Sequence, residues 1–244
     1  MRPLLLAVTI ACLGLVASVS AQTVSVEDWD ATVQGNVSTA SWYGSTGLIL
    51  TPSAEIGPPM KLQGGMHRIE LDDTTQSVYN VNVAITADLE FGVARLEDIR
   101  PQGIIAEGLT DENVLNAKYN VDLGPWLGLD ATPQVAIGVW DLSDQLNRAF
   151  YVVASKEFAL REEGTFSQFK LHVGFGQTEH SAGALDGLFC GIEFVPFANA
   201  IVQAEYDAED INANLRFFLT EWLSADVGVI DGDFAWGASA RTAF

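Results

Sequence analysis

Residues 211–220 have the sequence Ile-Asn-Ala-Asn-Leu-Arg-Phe-Phe-Leu-Thr, in which apolar and polar side chains alternate. The apolar positions are Ile211, Ala213, Leu215, Phe217 and Leu219. The polar positions are Asn212, Asn214, Arg216 and Thr220, and Phe218 is the exception. Because successive side chains point to opposite faces of a strand, this period of two predicts a strand with one apolar and one polar face.

The same alternation recurs along the last two thirds of the chain, for example at residues 79–86 and 168–175. Strands of roughly ten residues are long enough to cross a bilayer when tilted, and bacterial outer-membrane barrels have an even number of strands. We therefore predict an all-β fold, an antiparallel transmembrane β-barrel of the outer-membrane type spanning residues 60–244. We predict about twelve strands. They are centred on Gln63, Asn82, Phe91, Ala117, Ile137, Val153, Leu171, Gly191, Ala204, Leu215, Val227 and Ala240.

The first 21 residues have the features of a secretory signal peptide. Arg2 supplies a positive charge, residues 4–16 are apolar, and residues 17–21 offer small side chains for cleavage. The apolar run is too short to span a bilayer as a helix. We predict export, with the outer membrane as the final location. Cys190 is then the single cysteine of the mature chain, which excludes an internal disulfide.

Residues 22–59 have a different character, because they show no sustained alternation and end in Gly57-Pro58-Pro59. Three structures are compatible with this sequence: a periplasmic extension, a plug inside the barrel, or an irregular first strand.

The charge of the chain is strongly acidic, with 12 Lys and Arg against 32 Asp and Glu. This balance excludes a general nucleic-acid binder, because contacts to phosphates need a positive surface. Alternate connections carry the acidic residues, and the longest of these spans Arg95 to Asn113. Barrels keep long loops outside, so we predict that the acidic connections face the exterior.

The last residue, Phe244, ends a strand with an aromatic side chain. Such an end predicts recognition by the barrel-assembly machinery. Lipid and lipopolysaccharide of the outer membrane are the other expected partners.

Charged and polar side chains on the inner faces of the predicted strands are the candidate lumen-lining residues. They are Lys118, Lys170, His172, Glu193, Glu205 and Arg216. In one interpretation the opposite charges pair across the interior and close it, because buried charges need partners. In the other they line a narrow water-filled path for small polar solutes. The near balance of signs favours pairing.

No catalytic signature is present: the sequence lacks Gly-x-Ser-x-Gly, His-Glu-x-x-His, a P-loop and a cysteine pair. We predict no catalytic residue, no cofactor and no metal site. The enzymatic alternative uses His172, or His180 with Ser181, as a base and a nucleophile. Asp207, Glu209 and Asp210 are close enough in sequence to suggest a divalent cation, but a solvated acidic loop is the simpler interpretation.

A short motif near the mature N-terminus resembles the YjbH-like family of outer-membrane β-barrel proteins associated with exopolysaccharide production. The residues that carry the resemblance are Gly47, Leu48, Ile49, Thr51, Pro52, Ser53 and Ala54. Members of this family are longer, so the resemblance implies a reduced relative with a single barrel.

The resulting functional prediction is a non-enzymatic outer-membrane barrel. It acts as a narrow porin-like channel for polysaccharide or small polar solutes, or as a scaffold linked to exopolysaccharide export. The alternatives are an outer-membrane hydrolase or acyltransferase and a secreted soluble β-sandwich.

Overall fold

The computed structural model describes residues 39–71, 75–99, 110–123, 133–159, 168–180, 183–197 and 199–242. Several of the sequence-based predictions concern residues outside these ranges. They are the signal peptide (1–21), the first part of the 22–59 segment (22–38), most of the loop predicted between Arg95 and Asn113, Ser181, and the terminal Phe244.

Twelve antiparallel strands close into one barrel, in which each strand pairs with its sequence neighbours and β1 pairs with β12. The strands are β1 (Leu62–Glu70), β2 (Thr75–Ala84), β3 (Leu89–Ile99), β4 (Thr110–Val121), β5 (Gln134–Trp140), β6 (Ala149–Ala159), β7 (Gln168–Thr178), β8 (Gly187–Phe197), β9 (Ala200–Tyr206), β10 (Ile211–Phe218), β11 (Leu223–Ile230) and β12 (Asp233–Arg241). Every predicted strand centre lies inside one of these strands, so the predicted fold class is confirmed. Within the described ranges, no helix is long and apolar enough to span a membrane.

The alternation of side chains explains why the sheet closes with its apolar face outward. In β7, Val173 and Phe175 are exposed on the outside, whereas Lys170 and His172 are buried inside. Apolar outside and polar inside is the arrangement of a barrel in lipid. A soluble sandwich would instead bury its apolar faces between two sheets, so the β-sandwich alternative is wrong. Phe218, the exception in the opening pattern, is buried with Val195 and Ile201.

The two ends of the barrel differ in their connections. We call the end where β1, β3, β5, β7, β9 and β11 finish the acidic end, and the end where β1 begins and β12 finishes the terminal end. The predicted bounds of the longest loop, Arg95 to Asn113, are wrong, because these two residues are paired within β3 and β4.

The reason for this difference is that the strands extend into the predicted loop. Arg95 pairs with Asn113 across β3 and β4, which leaves only residues 100–109 between the strands. Side-chain bonds from Arg95 to Glu97 and Asp111 support the extension. Loop length therefore does not orient this barrel, and the exterior position of the acidic end remains a prediction.

Candidate functional site

Most of residues 39–59, which we call the inner segment, occupy the barrel interior, and Pro58 and Pro59 at the end of the segment are exposed. Trp42, Leu48 and Ile49 are fully buried, although the segment has no regular strand or helix of its own. A compact turn organises it, because the Leu48 N–H donates to the Thr51 carbonyl at 3.0 Å. The segment leads into β1 at the terminal end, where the Met60 N–H donates to the Ala84 carbonyl.

Glu205 on β9 makes the densest set of contacts with the inner segment. It accepts hydrogen bonds from the N–H groups of Ile49 at 3.1 Å, Leu50 at 2.8 Å and Thr51 at 3.1 Å. The Thr51 hydroxyl adds a fourth bond at 2.7 Å. On the wall side, Asn212 Nδ2 donates to the same carboxylate at 3.2 Å.

Glu90 and Lys118 hold the inner segment from the opposite side of the barrel. Glu90 accepts hydrogen bonds from the backbone and hydroxyl of Thr46 and from the Gly57 N–H. Lys118 Nζ donates to the carbonyls of Thr46 at 2.6 Å and Ser53 at 3.1 Å. The two wall charges are also 3.5 Å from each other. Both are almost fully buried, so each satisfies the other's charge while binding the segment.

Two further wall cations contact the inner segment. Lys170 forms an ion pair of 2.6 Å with Glu55 of the segment. Arg216 pairs with Asp226 on the neighbouring strand at 2.6 Å and donates to the Ala40 carbonyl at 3.2 Å. The interior charges are therefore compensated partly within the wall and partly by the segment.

His172 stands between a hydroxyl and a carboxylate. Its Nδ1 is 2.7 Å from Ser155 Oγ, and its Nε2 is 3.3 Å from Glu193 Oε1, within ion-pair reach but without hydrogen-bond geometry. The order of groups resembles that of a nucleophile, a base and an orienting acid. However, the Ala54 N–H donates to Ser155 Oγ at 2.8 Å, so the inner segment covers the hydroxyl.

The structure thus buries all six candidate lumen-lining residues on the inner face. Lys118, Lys170, Glu205 and Arg216 bind the inner segment directly, and His172 and Glu193 lie side by side in the wall. His180, the other candidate base, is exposed and donates its N–H to Asn147 Oδ1. Sequence analysis missed Ser155, Glu55 and Asp226 as partners.

Two wall glycines make room for the inner segment. A Cβ atom on Gly92 would collide with the Gly44 carbonyl of the segment, and one on Gly191 would collide with the Leu48 side chain. Because interiors are close-packed, the absence of these two side chains is what lets the segment lie against the wall. The wall is therefore shaped for the segment at these two positions.

Apolar side chains fill the interior towards the acidic end. Tyr43 and Trp140 pack on a buried cluster of Val78, Ala94, Leu96, Val114 and Leu146. Leu146 belongs to the β5–β6 connection, so this loop also turns inward.

Near the terminal end, Ala40, Arg216, Phe218 and Trp222 line a cavity of about 30 Å³. That volume holds a few water molecules at most and no sugar.

The acidic side chains of the β9–β10 connection are tied into a turn. Asp207 Oδ1 accepts the N–H groups of Glu209 and Asp210 at 3.0 and 2.9 Å. Partial burial and the neighbouring carboxylates Asp207 and Asp231 raise the pKa of both Glu209 and Asp210. Across the described part of the chain, no group of three or more acidic, His or Cys side chains is placed to hold a metal ion.

Solved barrels resemble this chain at low sequence identity and with TM-scores below 0.5. The KdgM porin has 10% identity and a TM-score of 0.47, over 76% of this chain and 99% of that one. The same porin "in complex with disordered oligogalacturonate" has 8% identity and a TM-score of 0.45, with the same coverage. The N-terminal β-barrel domain of Pseudomonas aeruginosa OprF has 10% identity and a TM-score of 0.24, over 75% and 98%.

No curated protein matches this chain. The sequence model of one family, YjbH, described as "Exopolysaccharide biosynthesis protein YbjH", matches residues 39–190. The match covers more than half of the chain. It begins at the inner segment, includes the Gly47–Ala54 motif and runs into β8. This single closed barrel with its occupied interior therefore belongs to the YjbH family of exopolysaccharide biosynthesis proteins.

Proposed function

We propose that this chain is a non-enzymatic outer-membrane barrel of an exopolysaccharide system, closed at rest by its own inner segment. The observation that carries the proposal is the set of bonds from buried wall charges to residues 46–57, led by those of Glu205, Glu90 and Lys118. Buried charges that bind a segment so completely favour its residence inside. In this proposal residues 1–21 direct export.

Two modes of action are compatible with a closed barrel. In the first, the inner segment moves and a polysaccharide or a small polar solute passes through the interior. In the second, the segment stays and the barrel is a scaffold for other components. The apolar packing of Tyr43 and Trp140 towards the acidic end requires the first mode to include displacement of the segment.

The experiment is conductance in a planar bilayer at low and high salt. We expect the mature chain to insert, as judged by heat-modifiable gel migration, and to give no steady conductance. A variant with residues 39–57 replaced by a short Gly/Ser linker should give stable conductance steps. Equal, stable steps from both proteins would contradict the closed barrel.

A locked variant separates channel from scaffold. Ala54→Cys and Ser155→Cys place two thiols where the Ala54 N–H now contacts Ser155 Oγ, in a Cys190→Ser background. If solute passes through the interior, the oxidised lock abolishes surface polysaccharide in a deletion strain and reduction restores it. If the barrel is a scaffold, the locked and reduced forms support production equally.

A second candidate function, an ester or acyl hydrolase, is favoured by the Ser155–His172–Glu193 row alone. Activity would require the inner segment to leave Ser155, because a nucleophile must reach the substrate. The test compares the segment-deleted barrel with the same barrel carrying Ser155→Ala on a chromogenic ester. Hydrolysis lost on substitution would support the enzyme, and equal rates would dismiss it.

A further inference from the structure

Four donors of the inner segment converge on one carboxylate of the wall. The N–H groups of Ile49, Leu50 and Thr51 and the Thr51 hydroxyl all point at Glu205, at 2.7 to 3.1 Å. Consecutive backbone N–H groups that face one concavity form an anion-binding nest. The turn 47–52 therefore has the donor geometry of a carboxylate receptor, and Glu205 occupies it.

The turn is held in this shape by its own sequence. A Cβ atom on Gly47 would collide with the Thr51 carbonyl, so the chain can close here only with glycine. Pro52 restricts the preceding Thr51 to extended geometry. The Leu48 N–H bonds the Thr51 carbonyl, which leaves the next three N–H groups free to face Glu205. The sequence of the turn itself thus favours this arrangement of donors.

Glu205 differs from Glu90 and Asp226 in its partners. Glu90 has Lys118 at 3.5 Å and Asp226 has Arg216 at 2.6 Å. Among the described residues, no cationic side chain lies within ion-pair distance of Glu205. Four of the five hydrogen bonds to Glu205 come from the inner segment, and the fifth comes from Asn212. A buried carboxylate without a cation depends on such bonds, so the segment and Glu205 stabilise each other.

We propose that the turn 47–52 is a carboxylate-binding site that holds the inner segment in the barrel, with Glu205 as its resident ligand. Its ligand class is a carboxylate, and a small free one such as formate fills the site when the Glu205 side chain is removed. This inference rests on the proposed function, because it explains how the barrel stays closed.

The test is chemical rescue of Glu205→Ala in a planar bilayer. Loss of several charge-assisted bonds should raise the open probability by about tenfold or more. Addition of formate should return it towards that of the unsubstituted protein. Chloride at the same ionic strength should have no such effect, because it lacks the two oxygens that four donors require.

Two variants serve as matched comparisons. Glu193→Ala also removes a buried interior carboxylate, but the groups that contact Glu193, on His172 and Gln203, belong to the wall. It should leave the barrel closed and insensitive to formate. Thr51→Val removes one of the four donors and leaves the wall intact, so it should open the barrel less than Glu205→Ala. If Glu205→Ala fails to assemble, Thr51→Val decides the question.

Three outcomes would overturn the site. They are an open probability that Glu205→Ala does not raise, a conductance of Glu205→Ala that formate does not change, and opening by Glu193→Ala equal to that by Glu205→Ala. Failure of the closed barrel itself has a different signature. In that case the unsubstituted protein conducts steadily before any substitution is made, and the formate response of Glu205→Ala still reports on the turn.

Discussion

Gly92 is a residue at which the wall packs tightly against the backbone of the inner segment. In Gly92→Ala the new Cβ would meet the Gly44 carbonyl, a backbone atom that yields only if the segment moves. Overpacking of this kind costs about 1–3 kcal/mol. We expect it to shift the equilibrium towards the open barrel roughly tenfold to hundredfold, measured as open probability in a bilayer.

Gly138→Ala is the control for that substitution. Its Cβ would also point inward, but it would meet Tyr151 and Ala117, which are wall residues. We expect a less stable barrel that stays closed. Equal opening by the two variants would mean that strain in the wall, and not displacement of the segment, opens the barrel.

At the same scale, the alternation of side chains along each strand was enough to predict which residues point into the barrel. Most of the partners of these residues could be identified only once the register between neighbouring strands was known. Two of the contacting pairs could have been predicted from the sequence, because Arg216 lies directly opposite Asp226, and Ser155 opposite His172, on neighbouring strands. Lys170 shows the limit. It faces Glu193 in register, yet its ion pair is with Glu55, a residue of the segment that has no periodicity.

At the scale of elements, all twelve strands were predictable because one face of each strand contacts lipid and the other contacts polar groups. This difference appears in the sequence of each strand as an alternation of apolar and polar residues. The inner segment was not predictable. Its place in the barrel depends on bonds to Glu205, more than 150 positions away in the chain, and no local pattern encodes such contacts. The predicted bounds of the loop between Arg95 and Asn113 were wrong because strand pairing continues through the charged ends of β3 and β4.

For the whole molecule, the net charge of −20 predicts that the opened barrel prefers cations. The reversal potential of the segment-deleted variant in a KCl gradient measures this preference. It should weaken as salt rises, because the screening length falls from about 10 Å at 0.1 M to about 3 Å at 1 M. An anion preference would contradict the prediction.

The same preference should fall as the pH is lowered. The pKa values of Glu209 and Asp210 are raised, so these groups lose their charge before carboxylates with ordinary values of about 4. The decline should therefore begin above that pH. Glu209→Gln with Asp210→Asn should weaken the preference at neutral pH and move the decline to lower pH, without closing the barrel.

The position of the inner segment ahead of β1 has a consequence for assembly. In a chain made and exported from its N-terminus, residues 39–59 arrive before any of the wall that later surrounds them. Their bonds to Glu90 and Lys118 can form once β3 and β4 are present, but those to Glu205 must wait for β9. We therefore expect enclosure of the segment and closure of the junction between β1 and β12 to be coupled, because a barrel that closed first would have to admit the segment through an open end.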